Sequence, residues 1–586
     1  MTLFPQTRSL NTAQSRLGGW TVLVLAIAVL IAAPILVVLS AIFVNSGDTW
    51  NHLATTVLPT YLTNSLLLMV GVGGGVALIG VGTAWLVTLC RFPGRWLFEW
   101  ALLLPLAAPA YLLAYVYTDI LDFYGPVQTG LREIFGWQTV QDYWFPNVRS
   151  LWGAIVMLTL VLYPYVYLLA RSAFLSQSVC MLEASRSLGC SPWRSFFTIA
   201  LPLARPAITA GLSLALMETL NDYGTVQYFG VDTFTTGIYR TWFGMGDRPA
   251  ATQLAALLTL FALALILLER WSRGQAKYYQ TANAVQPLSS YRLRGWRAIA
   301  AIGACLLPIS LGFLIPAGVL LQMTLAISGT APDIDAADDY ASDDFSGSDF
   351  AASSSADAFW SFASNSFTLA AVTAIVAVLL GVILAYGLRL RPTRGMRLAT
   401  QVSAMGYAVP GSVIAVGVLL PIGNFDNAID AWMRSSFGIS TGLLLSGTIA
   451  ALVFAYLVRF LAVSFSSLDA SLSGIKPNLD DAARSLGHSS MSTLVRVHAP
   501  LMWSGVLTAT MLVFVDVMKE LPATLIVRPF NFDTLAVRVY NLASDERLAE
   551  AAAPALAIVL VGLLPVILLS WKLAHARTQR QLPLTD

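Results

Sequence analysis

Four carboxylates stand out by their placement. Glu218 and Asp222 close one apolar run, and Asp516 and Glu520 close another that lies 298 residues further on. An ionisable group at membrane depth is costly and faces protein or an aqueous path. Carboxylate oxygens are also the hard ligands that a hard cation prefers. Two readings follow: a polar translocation path, or structural pairing, in which the adjacent Lys519 would share. His488 and His498 face Cys190 and Ala200 in the first copy, so no symmetric metal site is expected. Tyr163, Tyr165 and the tyrosines of the stretch Tyr111–Tyr117 are expected to pack spans or line their interface.

The elements that carry these groups must be membrane helices. The 586 residues are 57% hydrophobic and 11% charged, with mean hydropathy +0.70. A soluble domain is about 25% charged. A net charge of +2 gives no pull toward nucleic acid. Apolar runs recur at Trp20–Phe43, Tyr61–Leu89, Leu97–Tyr117, Leu151–Leu169, Leu201–Met217 and Leu254–Leu268. A second set covers Ala298–Ile327, Phe367–Leu388, Ala399–Leu420, Leu443–Val463, Leu501–Val515 and Ala551–Leu569. About 20 apolar residues cross the hydrocarbon as helix. Lipid leaves backbone amides no other partner, so the expected fold is all-α and polytopic, with about twelve transmembrane helices.

With both termini cytoplasmic, 25 of the 34 basic residues fall inside, counting Arg171 and the group from Arg459 to Arg496 among the loops. The first span reads as an anchor, not a cleaved signal. Cys90, Cys180, Cys190 and Cys305 then avoid any oxidising compartment, and no disulfide is expected. The glycine-rich Gly71–Gly82 lacks a following Gly-Lys-Ser/Thr, and the chain has no Walker motif. Close helix approach explains those glycines better than a phosphate cradle.

The chain is written twice. Shifted by 298 residues, six of the eight positions from Ala184 to Ser191 match, and Pro202 meets Pro500. The same shift pairs Phe234 with Phe532, Thr236 with Thr534 and Arg240 with Arg538. Upstream, a shift of 301 pairs Asn64 with Asn365 and Pro109 with Pro410. An even number of spans per copy makes the two six-helix repeats parallel. The expected modules are 1–274 and 297–586, joined by a basic linker over 275–296. The stretch from Asp333 to Asp357 holds eight Asp and no basic residue. It reads as a solvated connector, or as a field that attracts cations or a basic partner.

Between two apolar runs lies "EASRSLG" (Glu183–Gly189), and its counterpart is "DAARSLG" (Asp481–Gly487). Gly189 and Gly487 suit the left-handed position that ends a helix. Ser191-Pro192 then caps the next helix, with Ser489 at the matching place. Two matched cytoplasmic knobs suggest a paired partner.

This pattern resembles the EAA loop of ABC importer permeases, over about 183–202 and 481–500. Glu183, Ala184 and Gly189 match in the first copy; Asp481, Ala482, Ala483 and Gly487 match in the second, where Asp replaces Glu. The resemblance covers nearly the whole chain and is greatest to fused two-module ferric-iron permeases, with thiamine permeases as cousins. It implies a MetI-like type I fold, no cofactor and no ATPase activity of its own. It further implies an inner-membrane location, two cytoplasmic ATPase subunits docked on the knobs, and a periplasmic or tethered binding protein that delivers Fe³⁺. A secondary transporter is the rival, though it gives no reason for duplicated knobs.

Overall fold

The computed structural model describes residues 19–43, 47–177, 187, 189, 191–273, 291–329 and 348–581. Glu183, Ala184, Cys180 and Cys190 lie outside them, as do 275–290 of the linker and 333–347 of the acidic stretch. Among the described residues, ten helices are long and apolar enough to span a membrane, and two bent helix pairs bring the number to twelve. Cys90 and Cys305 are free and buried.

Two of the expected spans are broken just before a proline, and a further bend, of 78°, separates Ser490–Leu501 from Trp503–Met518. The run Leu97–Tyr117 becomes the helix Arg95–Ala101, a 3₁₀ turn, and the helix Ala110–Leu121. Arg95–Ala107 and Ala110–Phe135 meet at 89°. The run Ala399–Leu420 divides likewise into Arg394–Ser403, a turn, and the spanning helix Gly411–Phe437. The cause is the same in each half. Pro109 and Pro410 force the preceding residue out of the helical region, and Ala108 and Val409 are indeed extended, with ψ of 127° in both. The tenth and twelfth runs keep their places as Ile449–Ser473 and Leu548–Gln581.

The first span of each half reaches the opposite half. Gly19–Ser40 packs against Arg394–Ser403 and Gly411–Phe437, while Ile315–Gly329 packs against Ala110–Leu121 of the first half and Leu548–Gln581 of its own. Glycines allow these crossings. A Cβ at Gly417 would meet the Pro34 carbonyl, and one at Gly562 would meet the Ala107 carbonyl. Cys90–Arg91 also pairs in parallel with Tyr291–Arg292, which ties the end of the linker to a loop of the first module. One core of buried residues therefore runs through both halves. A smaller one, with Tyr386, Leu468, Leu494 and Met502, seats the second knob.

The repeat is visible in local chemistry, with one correction. Asn64 Nδ2 donates to the Asp232 carbonyl at 2.9 Å, and Asn365 Nδ2 donates to the Asp533 carbonyl at 3.1 Å. Thr233 caps Phe234–Tyr239, and Thr534 caps Leu535–Ser544. Here the spacing is 301, so Thr233 corresponds to Thr534 and Tyr239 to Tyr540. The expected pairings Phe234–Phe532, Thr236–Thr534 and Arg240–Arg538 are overturned. The second copy takes three extra residues in the loop after Val527, where Phe532 N–H bonds the Pro529 carbonyl and Asn531 has φ +60°.

Candidate functional site

The helices that bring the four carboxylates together end where the halves meet. Leu201–Asn221 delivers Glu218 and Asp222, and Trp503–Met518 delivers Asp516, with Lys519 and Glu520 just beyond it. All four carboxylates line one cavity of about 120 Å³, with Tyr111, Tyr165, Tyr407 and Arg459 also on its wall.

Within this group the carboxylates divide by task. Asp222 accepts from the Thr225 hydroxyl at 2.9 Å and from Val226 N–H at 3.1 Å. Glu520 accepts from Ala523 N–H at 2.9 Å, Thr524 N–H at 3.1 Å and the Thr524 hydroxyl at 2.8 Å. Both acids thus cap the short helices that follow, Gly224–Tyr228 and Pro522–Val527. A carboxylate there satisfies N–H groups that the helix itself cannot. Glu218 and Asp516 have no such duty. Glu218 meets Arg459 at 3.2 Å, and Asp516 meets Lys519 at 3.4 Å.

Arg459 was counted above among the cytoplasmic loop cations, and the structure corrects this. It sits inside the helix Ile449–Ser473, is only 4% exposed, and faces the cavity. Its Nη1 donates to Asn221 Oδ1 at 2.6 Å, and its other close acid is Glu520 at 3.7 Å. Asn221 Oδ1 also accepts from Gly411 N–H at 2.7 Å, so one amide ties two elements of the second half to the first. The available signal was a lone basic residue in an otherwise apolar span. Arg171 is corrected in the same way: it is buried in Leu151–Ser176 and pairs with Glu99 at 3.0 Å.

The tyrosines line and pack as expected. Tyr163 is buried, Tyr111 and Tyr165 face the cavity, and Tyr223 stacks on Tyr239 at 3.7 Å while its hydroxyl lies 3.3 Å from that of Tyr540. Among the described residues, no three His, Cys, Asp or Glu side chains converge in a way that could hold a metal ion.

Remote from the cavity, the second knob has the geometry its glycine demands. Asn478–Ser485 ends at Gly487, whose φ is +78°, and Gly189 has φ +77°. His488 N–H bonds the Ala483 carbonyl and Gly487 N–H bonds that of Arg484, each at 3.0 Å, which closes the helix end. Ser191 and Ser489 each accept from an N–H three residues on, at 3.3 Å. Asp481 and Ala482 are exposed, whereas Ala483 is buried. Among the described residues, Asp481 pairs with Arg484, three positions on. Apolar side chains at matching places point outward: Trp193 and Met491, Phe197 and Val495. Behind them, Asp480 bonds Arg389 and the buried His498, each at 2.6 Å. Burial raises the Asp480 pKa, but these two partners more than offset it and hold the carboxyl below its ordinary value.

Together the broken spans, the crossed first helices and the charged central cavity define a MetI-like helical membrane permease. Residues 13–273 match the family described as "binding-protein-dependent transport system inner membrane component". The chain is similar, at 26% identity over 87% of its length and 89% of the relative's, to the Fe(3+)-transport system permease protein FbpB 2 of Haemophilus influenzae. It is 21% identical over 88% of its length to the ferric transport system permease protein FbpB of Actinobacillus pleuropneumoniae, of which 71% is covered. The molybdenum transport system permease protein ModB of Escherichia coli aligns at 28% identity over 33% of this chain and 83% of its own.

Proposed function

We propose that this chain is the permease of an ATP-driven importer that moves ferric iron across the inner membrane, with both transmembrane modules (1–274 and 297–586) in one polypeptide. The observation that carries this reading is the gathering of Glu218, Asp222, Asp516 and Glu520 around one cavity at the junction of the halves. Against these four carboxylates stand one guanidinium and one ammonium, Arg459 and Lys519, which leaves a formal charge of −2. Such a surface suits a hard cation and opposes an oxyanion. The names of the full-length ferric relatives point the same way.

Energy comes from outside the chain. Two cytoplasmic ATPase subunits dock on the loops around Gly189 and Gly487, where exposed apolar side chains surround an exposed acid at Asp481. Glu183 and Ala184 belong to the first docking surface. A periplasmic or tethered binding protein supplies Fe³⁺ on the opposite face, with both termini cytoplasmic. Closure of the ATPases moves the two knobs together, and the halves rock so that the cavity opens first outward and then inward. Glu218 and Asp516, free of capping duty, line the path; Asp222 and Glu520 hold its walls. The test is uptake of radioactive Fe³⁺ into proteoliposomes that contain the chain, its ATPases and its binding protein. Glu218→Gln with Asp516→Asn should abolish uptake while the ATPases still associate. Unchanged uptake, or equal uptake of thiamine in place of iron, would overturn the assignment.

A further inference from the structure

Arg459 is an unexpected residue for a cation path. Its guanidinium is nearly buried, carries a full charge, and lies among the carboxylates that would otherwise meet the cargo. Its closest bond is not to an acid: Nη1 holds Asn221 Oδ1 at 2.6 Å, and the carboxylates stand farther off. Both Glu218 oxygens lie 3.2–3.3 Å from Arg459 Nη2, and Glu520 lies 3.7 Å from Nη1. Charge-assisted bonds ordinarily close to about 2.7–2.9 Å. Arg459 Nε is buried with no hydrogen-bond partner among the described residues. Glu218, about one-fifth exposed and not used as a cap, relies on the arginine for its hydrogen bonds.

The arrangement is also one-sided. The first half offers Val161 at the spacing of 298 and Leu158 at 301, both apolar and both on the cavity wall. A residue needed only to hold the repeat together would be expected in both copies. Lys519 likewise reaches across, its Nζ lying 3.4 Å from the Leu106 carbonyl. The two cations of the second half thus sit against the first half, at the seam that must open.

We infer that Arg459 is a tethered counter-cation: it occupies the Glu218 carboxylate while the path is empty, and cargo cation displaces it, which releases the contact between the halves. This rests on the cation-importer reading above. An empty cluster of four carboxylates would repel itself and would attract stray small cations. The arginine neutralises part of that charge and cannot leave. A trivalent ion competes for the same oxygens with three times the charge, whereas a monovalent ion has no such advantage over guanidinium.

The test is Tb³⁺ binding to the purified full chain in detergent, read by luminescence sensitised by nearby tyrosines; Tyr165 and Tyr407 share the cavity. Arg459→Gln should tighten the apparent Kd by about tenfold or more, and Arg459→Lys should return it to within about threefold of wild type. The double variant Glu218→Gln/Arg459→Gln, which removes both partners and leaves no uncompensated Glu218, should bind at least about tenfold more weakly than Arg459→Gln. Should Arg459→Gln fail to fold, the double variant is compared with wild type, and weaker binding by the double variant is expected. Equal affinities in either comparison overturn the inference. A wild-type complex that shows this Tb³⁺ pattern but takes up no Fe³⁺ would sink the ferric reading and support the arginine's role. Ferric uptake without any response of Tb³⁺ affinity to Arg459→Gln would overturn the arginine's role alone.

Discussion

Replacing Gly487 by alanine isolates the contribution of one backbone angle. With φ +78° and nothing within 4 Å of a built Cβ, the new methyl meets no neighbour. Its cost is confined to left-handed strain, about 1–2 kcal/mol for an L-residue. The bonds at stake are those that end the Asn478–Ser485 helix, from His488 to Ala483 and from Gly487 to Arg484. If the loss stays local, the opened form of the knob gains a factor of about 5–30 in population. Hydrogen exchange across 478–498 should rise by that factor, while exchange in Ile449–Ser473 stays unchanged. Gly189→Ala, with φ +77° and equally open space, should behave alike. Gly487→Asp and Gly189→Asp add charge to the same strain and should abolish ATPase-coupled uptake, with the permease still in the membrane. If Gly487→Ala exchanges like wild type and both aspartate variants transport normally, the knobs are not rigid docking elements and the reasoning fails.

Other consequences are open to measurement. Asp480 has a folded pKa below its ordinary value, so its contribution to knob stability is fully present above the ordinary carboxylate range and is lost as pH falls through the folded pKa. Protection of 478–498 should therefore drop in acid, and Asp480→Asn should remove that acid step and lower protection at neutral pH. Gly417→Leu forces a side chain into the Pro34 carbonyl where the two halves cross, and should cost about 1–3 kcal/mol, seen as a lower Tm of the purified chain. Glu520→Ala strips the cap from Pro522–Val527, at about 0.5–2 kcal/mol for the cap alone, and should reduce stability more than Glu218→Gln does.

What could be read from the amino-acid order was whatever depends on local chemistry. Hydropathy located the spans, because lipid allows little but helix. The glycine and serine of the knobs announced their caps, because a left-handed turn and an N-cap are set by one residue each. The four carboxylates were recognisable because charge at membrane depth needs a reason. The errors arose where tertiary context decides. Hydropathy cannot see that Pro109 and Pro410 each divide an apolar run into two helices joined by a turn. Counting basic residues by loop absorbed Arg459 into the cytoplasmic face, although a helix crossing the seam buries it against Glu218. An ungapped comparison could not place the three extra residues after Val527, which only the Thr233 and Thr534 caps locate. Nor could any local pattern show that Asp222 and Glu520 would bond the N–H groups of the next helix, a duty that Glu218 and Asp516 lack.

The central claim is that an external ATPase drives a cation through the seam between the two halves. The direct measurement reconstitutes the purified chain in liposomes with Fe³⁺-loaded binding protein, with and without the ATPase subunits and ATP. Accumulation of Fe³⁺ only when the ATPases hydrolyse ATP is the predicted result. Accumulation at full rate by the chain without them would contradict it.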